Sequence, residues 1–225
     1  VAAGIPFIRV LRESLYGEPI PRILGIINGT TNYILTKMTD AVDAGGDADY
    51  GAALKDAQSL GYAERDPTAD VEGYDAGAKA AIIATIAFGA RVVAGDVYHE
   101  GISGITESDI NFASRLGFVI KLLAITERVG DQDGQPMVAV RVHPAMIPME
   151  HPLASVRDSF NAVFIEGAAA GELMFYGRGA GGRPTASAVL VDLIDAATNH
   201  EAGRGAVLGA SAKAIIQPID ELASE

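Results

Sequence analysis

With 225 residues, 49% of them apolar and 20% charged, the chain has the composition of a folded globular protein, long enough for one large domain or two small ones. A formal net charge of -12 and the lack of any basic run exclude a nucleic-acid surface, which needs clustered Lys and Arg, and the excess acid reads mostly as solubility. The lack of cysteine excludes disulfides, thiolate metal sites and cysteine nucleophiles, and no apolar run reaches the roughly 18–20 residues of a membrane span.

The start, "VAAGIPFIRVLRES", has Arg9 and Arg12 but neither a signal-peptide core nor a leading Met, so a piece of a longer chain is expected. "RILGIINGTTNYILTKMTDAVDAGG" predicts a strand, a turn at Asn28-Gly29, and a helix capped by Thr30 or Thr31. Tyr33, Ile34, Met38, Ala41 and Val42 recur at helical spacing. A second helix follows, capped by Asp47 or Asp49, with an apolar stripe of Tyr50, Leu54, Ala57 and Leu60 and a stop at Gly61. After an acidic loop, a third helix is predicted over 73–88.

"ITESDINFASRLG" carries a capping-box pattern at Thr106 and Asp109. "FVIKLLAITERVGDQDGQPMVAVRVHPAMI" reads as strand, turn, strand, and "NAVFIEG" as a further strand. "ELMFYGRGAGGRPTASAVLVDLIDAATN" reads as strand, glycine loop, helix, and the remainder resembles a linker. The fold class implied is α+β, an α/β-type mixed sheet with helices on one face.

Gly177, Gly179 and Gly182 match the dinucleotide-binding spacing G-x-G-x-x-G. A complete nucleotide domain needs more strands after the helix, and only about 25 residues remain. The loop therefore reads as a tight turn that requires glycine, with ligand contact at a helix N-terminus as a further reading.

"LGYAERDPTADVEGYDAGAK" holds five acids, one Arg and one Lys before an apolar helix. Asp75 and Lys79 share a helix face, and such a pair is by frequency an ordinary surface ion pair. Here the helix beyond Lys79 is nearly all apolar, and Glu64, Asp66 and Asp70 add far more acid than one pair requires. A lysine beside carboxylates can exchange a proton with a substrate oxygen, and the carboxylates can grip an ammonium. The residues thus suggest a site for a small amino-bearing polar molecule. A divalent metal on Asp66, Asp70 and Asp75 ranks lower, because the spacing matches no EF-hand and no His is near. His99, His143, His151 and His200 are scattered, and no nucleophile motif is present.

"GIINGTTNYIL" followed by "LGYAERDPTADVEGYDAGAK" closely resembles the homoserine dehydrogenase family, whose signature region the second stretch is similar to. "AAGIPFIRVLRES", "HPLASVRDSFNAVFI" and "GRGAGGRPTASAV" resemble that family as well, in the same order. The resemblance implies a cytoplasmic, homodimeric NADP- or NAD-dependent oxidoreductase. It would interconvert L-homoserine and L-aspartate 4-semialdehyde, on the route to threonine, methionine and isoleucine. It also implies that 1–198 is the catalytic, substrate-binding and dimerisation domain, and 199–225 a C-terminal extension or linker. Most of an upstream nucleotide-binding domain would be missing, and a regulatory ACT domain can follow in the family.

By the same resemblance Lys79 is the catalytic proton donor and Asp75 its partner at the substrate. Glu64, Asp70, Tyr62, Gly29 and Thr30 line the substrate pocket. Gly61, Glu64, Gly179 and Gly181 approach the cofactor. A monovalent cation, Na⁺ or K⁺, would take the backbone carbonyls of Val1, Ala3 and Ile5, with one further carbonyl upstream of Val1. The competing reading is a non-catalytic dimeric amino-acid-binding module.

Overall fold

The structure, a computed structural model, describes residues 1–204 and 215–222. Part of the predicted extension, residues 205–214 and 223–225, lies outside the described residues. A short helix α1 (Phe7–Arg9) widens into a further helical turn at Val10–Ser14. There follow β1 (Arg22–Ile26), α2 (Gly29–Asp43), α3 (Tyr50–Ser59), α4 (Thr68–Val71) and α5 (Tyr74–Phe88). Next come β2 (Tyr98–His99), α6 (Glu107–Arg115), β3 (Phe118–Gln132) and β4 (Gln135–Pro148). The chain continues through β5 (Phe160–Gly167), β6 (Gly171–Arg178), α7 (Gly182–Glu201) and β7 (Ile215–Ile216).

The strands form one mixed sheet in the order β2-β4-β3-β1-β5-β6, with β7 also on β4. β2 and β7 lie parallel to β4, and the other pairs are antiparallel. The β3–β4 hairpin turns at Asp133-Gly134, both at positive φ (52° and 75°), the backbone that an Asp-Gly turn supplies.

The sheet separates two apolar layers. Ile23, Ile34, Leu35, Met38, Ala57, Ile83 and Ile110 pack α2, α3, α5 and α6 onto one face. Leu24, Leu123 and Phe164 face the other way, under Leu153 and Val156 of the β4–β5 connection. Each fully buried aliphatic side chain contributes about 1.5–3 kcal/mol, so the helix-side layer dominates the core. α7 stands apart: it buries no residue, and Arg9 faces its Asp192 and Asp195. No helix among the described residues is long and apolar enough to cross a membrane.

Three local expectations change. α2 is capped by Asn28, not by Thr30 or Thr31: Asn28 has the extended backbone of a cap, and its side chain accepts from the Thr31 amide. The two threonines lie inside the helix, where Thr30 Oγ1 donates to the Tyr62 carbonyl and Thr31 Oγ1 to that of Asn28. In α3, capped by Asp49, Ala53 and Ala57 are buried, while Leu60 lies beyond the helix and is 55% exposed. Finally, α7 runs past residue 198 to Glu201, and Ile215–Ile216 join the sheet. The capping box at Thr106 and Asp109 is present as expected.

Candidate active site

β1 ends at Ile26, and the chain turns into α2 through Ile27 and Asn28. That turn faces the start of α5, where Gly73 at φ 81° lets the chain enter the helix directly from α4. The side chains meet there. Asn28 Nδ2 donates to Asp70 Oδ1 at 2.7 Å and to Asp75 Oδ2 at 3.0 Å. Lys79 Nζ donates to Asp75 Oδ2 at 2.6 Å and to the Ile27 carbonyl at 3.1 Å. One carboxamide and one ammonium thus hold two carboxylates at the N-terminus of a fifteen-residue helix. The Lys79 and Asp75 side chains keep 27% and 34% exposure, so a small solute can reach them.

The expected site residues divide into three groups. Lys79, Asp75 and Asp70 belong to this hydrogen-bonded set. Thr30 and Tyr62 form a second pair, through Thr30 Oγ1 and the Tyr62 carbonyl at 2.6 Å. The Tyr62 ring packs on Tyr33 at 5.0 Å. Burial, and then the hydrogen bond to Asp56, hold the Tyr33 phenol well above its ordinary range, so it stays protonated. Gly61 ends α3 at φ 75°. Glu64 is exposed on the loop, tied by its backbone carbonyl to Gln58 and not by its carboxylate.

The third group is the glycine loop. The Gly179 carbonyl accepts from the Ala3 amide at 3.0 Å, and the Arg178 carbonyl from the Gly4 amide at 3.1 Å. Val1, Ala3 and Ile5 therefore lie on a segment fixed against that loop, and Gly181 (φ 121°) leads into α7. Asp66 takes a different part from the one a metal would need. Its carboxylate accepts from the Thr68 hydroxyl and amide, which hold its pKa below the usual range. No group of three His, Asp or Glu among the described residues is placed to hold a metal ion.

Asn28 escapes a spacing-based reading because it lies 42 and 47 residues from its two acid partners. The available signal was the preference of Asn for helix caps. Asn161, whose buried Oδ1 has no hydrogen-bond partner among the described residues, was not singled out by sequence either, and it sits against Gly179.

A protein-family model matches residues 6–194, and that family is homoserine dehydrogenase. The chain belongs to it. Homoserine dehydrogenase of Mycobacterium tuberculosis is 58% identical over 203 residues, 90% of this chain and 45% of the relative. A homoserine dehydrogenase structure from Thiobacillus denitrificans matches with a TM-score of 0.82 at 46% identity, covering 90% of this chain and 44% of that one. A hyperthermophilic archaeal homoserine dehydrogenase mutant, in complex with NADPH, matches with a TM-score of 0.70 at 33% identity, covering 88% of this chain and 54% of that one. The chain spans about half the length of the curated relatives it matches. In this homoserine dehydrogenase family member, the Asn28 cluster and the glycine loop both lie within the matched region.

Proposed function

We propose that residues 1–198 form the catalytic, substrate-binding and dimerisation domain of an oxidoreductase that interconverts L-homoserine and L-aspartate 4-semialdehyde with NADP or NAD, and that 199–225 extend from it. The carrying observation is the Lys79 ammonium, seated between Asp75 and the Ile27 carbonyl at 2.6 and 3.1 Å beside the start of α2.

The cofactor, when bound, exchanges a hydride with the carbonyl carbon. Lys79 then has the remaining task. In the direction of reduction it gives a proton to the carbonyl oxygen, completing the alcohol. Negative charge develops on that oxygen, so the ammonium stabilises the transition state more than the ground state. Asp70, Asp75 and Glu64 supply the negative charge that holds the substrate ammonium. The Gly29 and Thr30 amides, at the positive end of α2, suit its carboxylate. Gly61, Gly179 and Gly181 line the cofactor's approach. The buried Asn161 Oδ1 without a donor beside Gly179 is the feature of that region that fits a hydrogen-bonding ligand. The hard oxygens of Val1, Ala3 and Ile5 suit a Na⁺ or K⁺ ion, on a segment held by the Ala3 and Gly4 amides.

The test follows homoserine-dependent reduction of NADP⁺ and NAD⁺ by absorbance. It uses this chain and the longest natural polypeptide that contains it. Turnover should fall at least about a hundredfold in Lys79→Ala, the scale of lost acid–base catalysis. Near-native turnover in that variant would refute the reading. Homoserine binding without turnover in either polypeptide would favour the binding module.

A further inference from the structure

β5 sends one polar side chain into the interior beside the glycine loop. Asn161 is 2% exposed, and its Oδ1 has no hydrogen-bond partner among the described residues. A buried acceptor left without a donor costs about 1–3 kcal/mol. Native structures keep such atoms where a water, an ion or a ligand supplies the missing partner. The other unpartnered buried side-chain atom among the described residues is Thr126 Oγ1, on β3 between Ile23 and Val140, with no glycine loop beside it.

The setting of Asn161 is different. It pairs with Gly177 of β6, and its carboxamide fills the space over Gly179. A Cβ at Gly179 would lie 1.9 Å from Asn161 Nδ2 and 2.2 Å from Cγ. Any side chain at 179 would therefore evict the carboxamide. Two residues earlier the Ser159 carbonyl packs on Gly29, 2.8 Å from where a Cβ would stand. Gly29 opens α2, whose cap Asn28 holds Asp70 and Asp75. Asn161 thus adjoins the glycine loop on a strand that enters from the first turn of the acid–lysine site. The acid–lysine site already supplies the charge on that side, in the Asp75–Lys79 pair and in Asp70 on the Asn28 carboxamide. A neutral buried acceptor suits an uncharged donor, because a buried charge would need a counter-charge.

We infer that Asn161 is a ligand-binding residue of this site, whose Oδ1 accepts a hydrogen bond from an uncharged N–H or O–H donor on a bound reactant. The assignment rests on the dehydrogenase reading, in which two reactants carry such a donor: the nicotinamide nucleotide, through its carboxamide or a ribose hydroxyl, and homoserine, through its hydroxyl.

Asn161→Leu and Asn161→Ala, made in the longest natural polypeptide, separate the two. NADPH affinity is read by nucleotide fluorescence, homoserine affinity by calorimetry, and the ligand-free Tm by thermal unfolding. Both variants should weaken one ligand about tenfold, the scale of one buried hydrogen bond. A rise in the NADPH Kd identifies the nucleotide as donor, and a rise in the homoserine Kd the substrate hydroxyl. The ligand-free Tm of the Leu variant should hold or rise, since an apolar group replaces an unsatisfied one. Unchanged Kd values for both ligands in both variants overturn the assignment, and a lowered Tm beside them marks a packing role. If the Leu variant does not fold, the two Kd values of the Ala variant decide the matter alone. A native protein that neither binds NADPH nor oxidises homoserine brings down the dehydrogenase reading and this inference with it. A native protein that does both, beside unaltered variants, brings down this inference alone.

Discussion

Asn28 does three things with one carboxamide. Its Oδ1 accepts from the Thr31 amide at 3.0 Å, closing the first turn of α2, and its Nδ2 bridges Asp70 and Asp75. Removing it uncaps a helix and leaves two carboxylates near one another without their shared donor. Asn28→Ala should therefore lower unfolding free energy by about 1–2 kcal/mol in urea titrations, the scale of a lost cap. It should also cut kcat about tenfold or more, as Asp75 and Lys79 lose their fixed geometry. A variant that loses stability but keeps kcat would show that the bridge does not position Asp75. The Asp75–Lys79 pair was legible in sequence because it repeats at i,i+4, which is a one-dimensional signal. The Asn28 bridge was not, because it closes a gap of 47 residues that only the tertiary packing of α5 on the sheet brings together.

At the level of elements, α2 carries two buried faces of different chemistry. Tyr33, Ile34 and Met38 form the apolar one, which periodicity reveals. Asn32 and Thr36 form the other and are just as buried. Asn32 Nδ2 approaches the carbonyls of Val156, Asp158 and Phe160 at 3.3, 2.9 and 3.2 Å, and Thr36 Oγ1 accepts from the Asp158 amide. No hydropathy pattern announces a polar face whose partners are backbone carbonyls and an amide more than a hundred residues away. The strand–turn–helix outline was legible, but the docking of the 156–160 loop was not. Gly29 completes this face by lack of a side chain. A methyl there would stand 2.8 Å from the Ser159 carbonyl oxygen, a contact that forces backbone to move. Gly29→Ala should cost about 1–3 kcal/mol by overpacking, read as a lowered Tm. kcat should fall with it, since the shift passes directly to Asn28. An unchanged Tm would show that the loop yields freely.

Across the whole molecule, the sheet order could not be read from the sequence. β1 pairs with β3 and β5, whose partners to Arg22 are Glu127 and Glu166, and pairing at that separation leaves no local trace. The apolar helix α7 was legible as a helix, yet Val189, Leu190, Leu193 and Ile194 remain more than half exposed, which periodicity does not foretell. Lys121 shows how the distant parts are tied. It is 2% exposed on β3, and its Nζ donates to Asn32 Oδ1 of α2 at 3.0 Å and to the Val156 carbonyl at 2.6 Å. Burial, and then the nearby Arg157 charge, lower its pKa from 10.5 to about 8, against the opposite pull of Asp158 and Asp40. The folded pKa of a base thus lies below its unfolded value. Below pH 8 both states hold the proton, and the cost of burying the charge is fully present. Between pH 8 and 10.5 the unfolded chain still holds a proton that the folded chain has released, so stability rises with pH across that window. Urea unfolding of the native protein and of Lys121→Met isolates the effect, because other titrating groups cancel in the difference. Native minus variant stability should climb by about 1–3 kcal/mol from pH 8 to 10.5. A flat difference would mean that the ammonium stays charged in the folded protein. In that case the two acceptors, Asn32 and Val156, outweigh its burial.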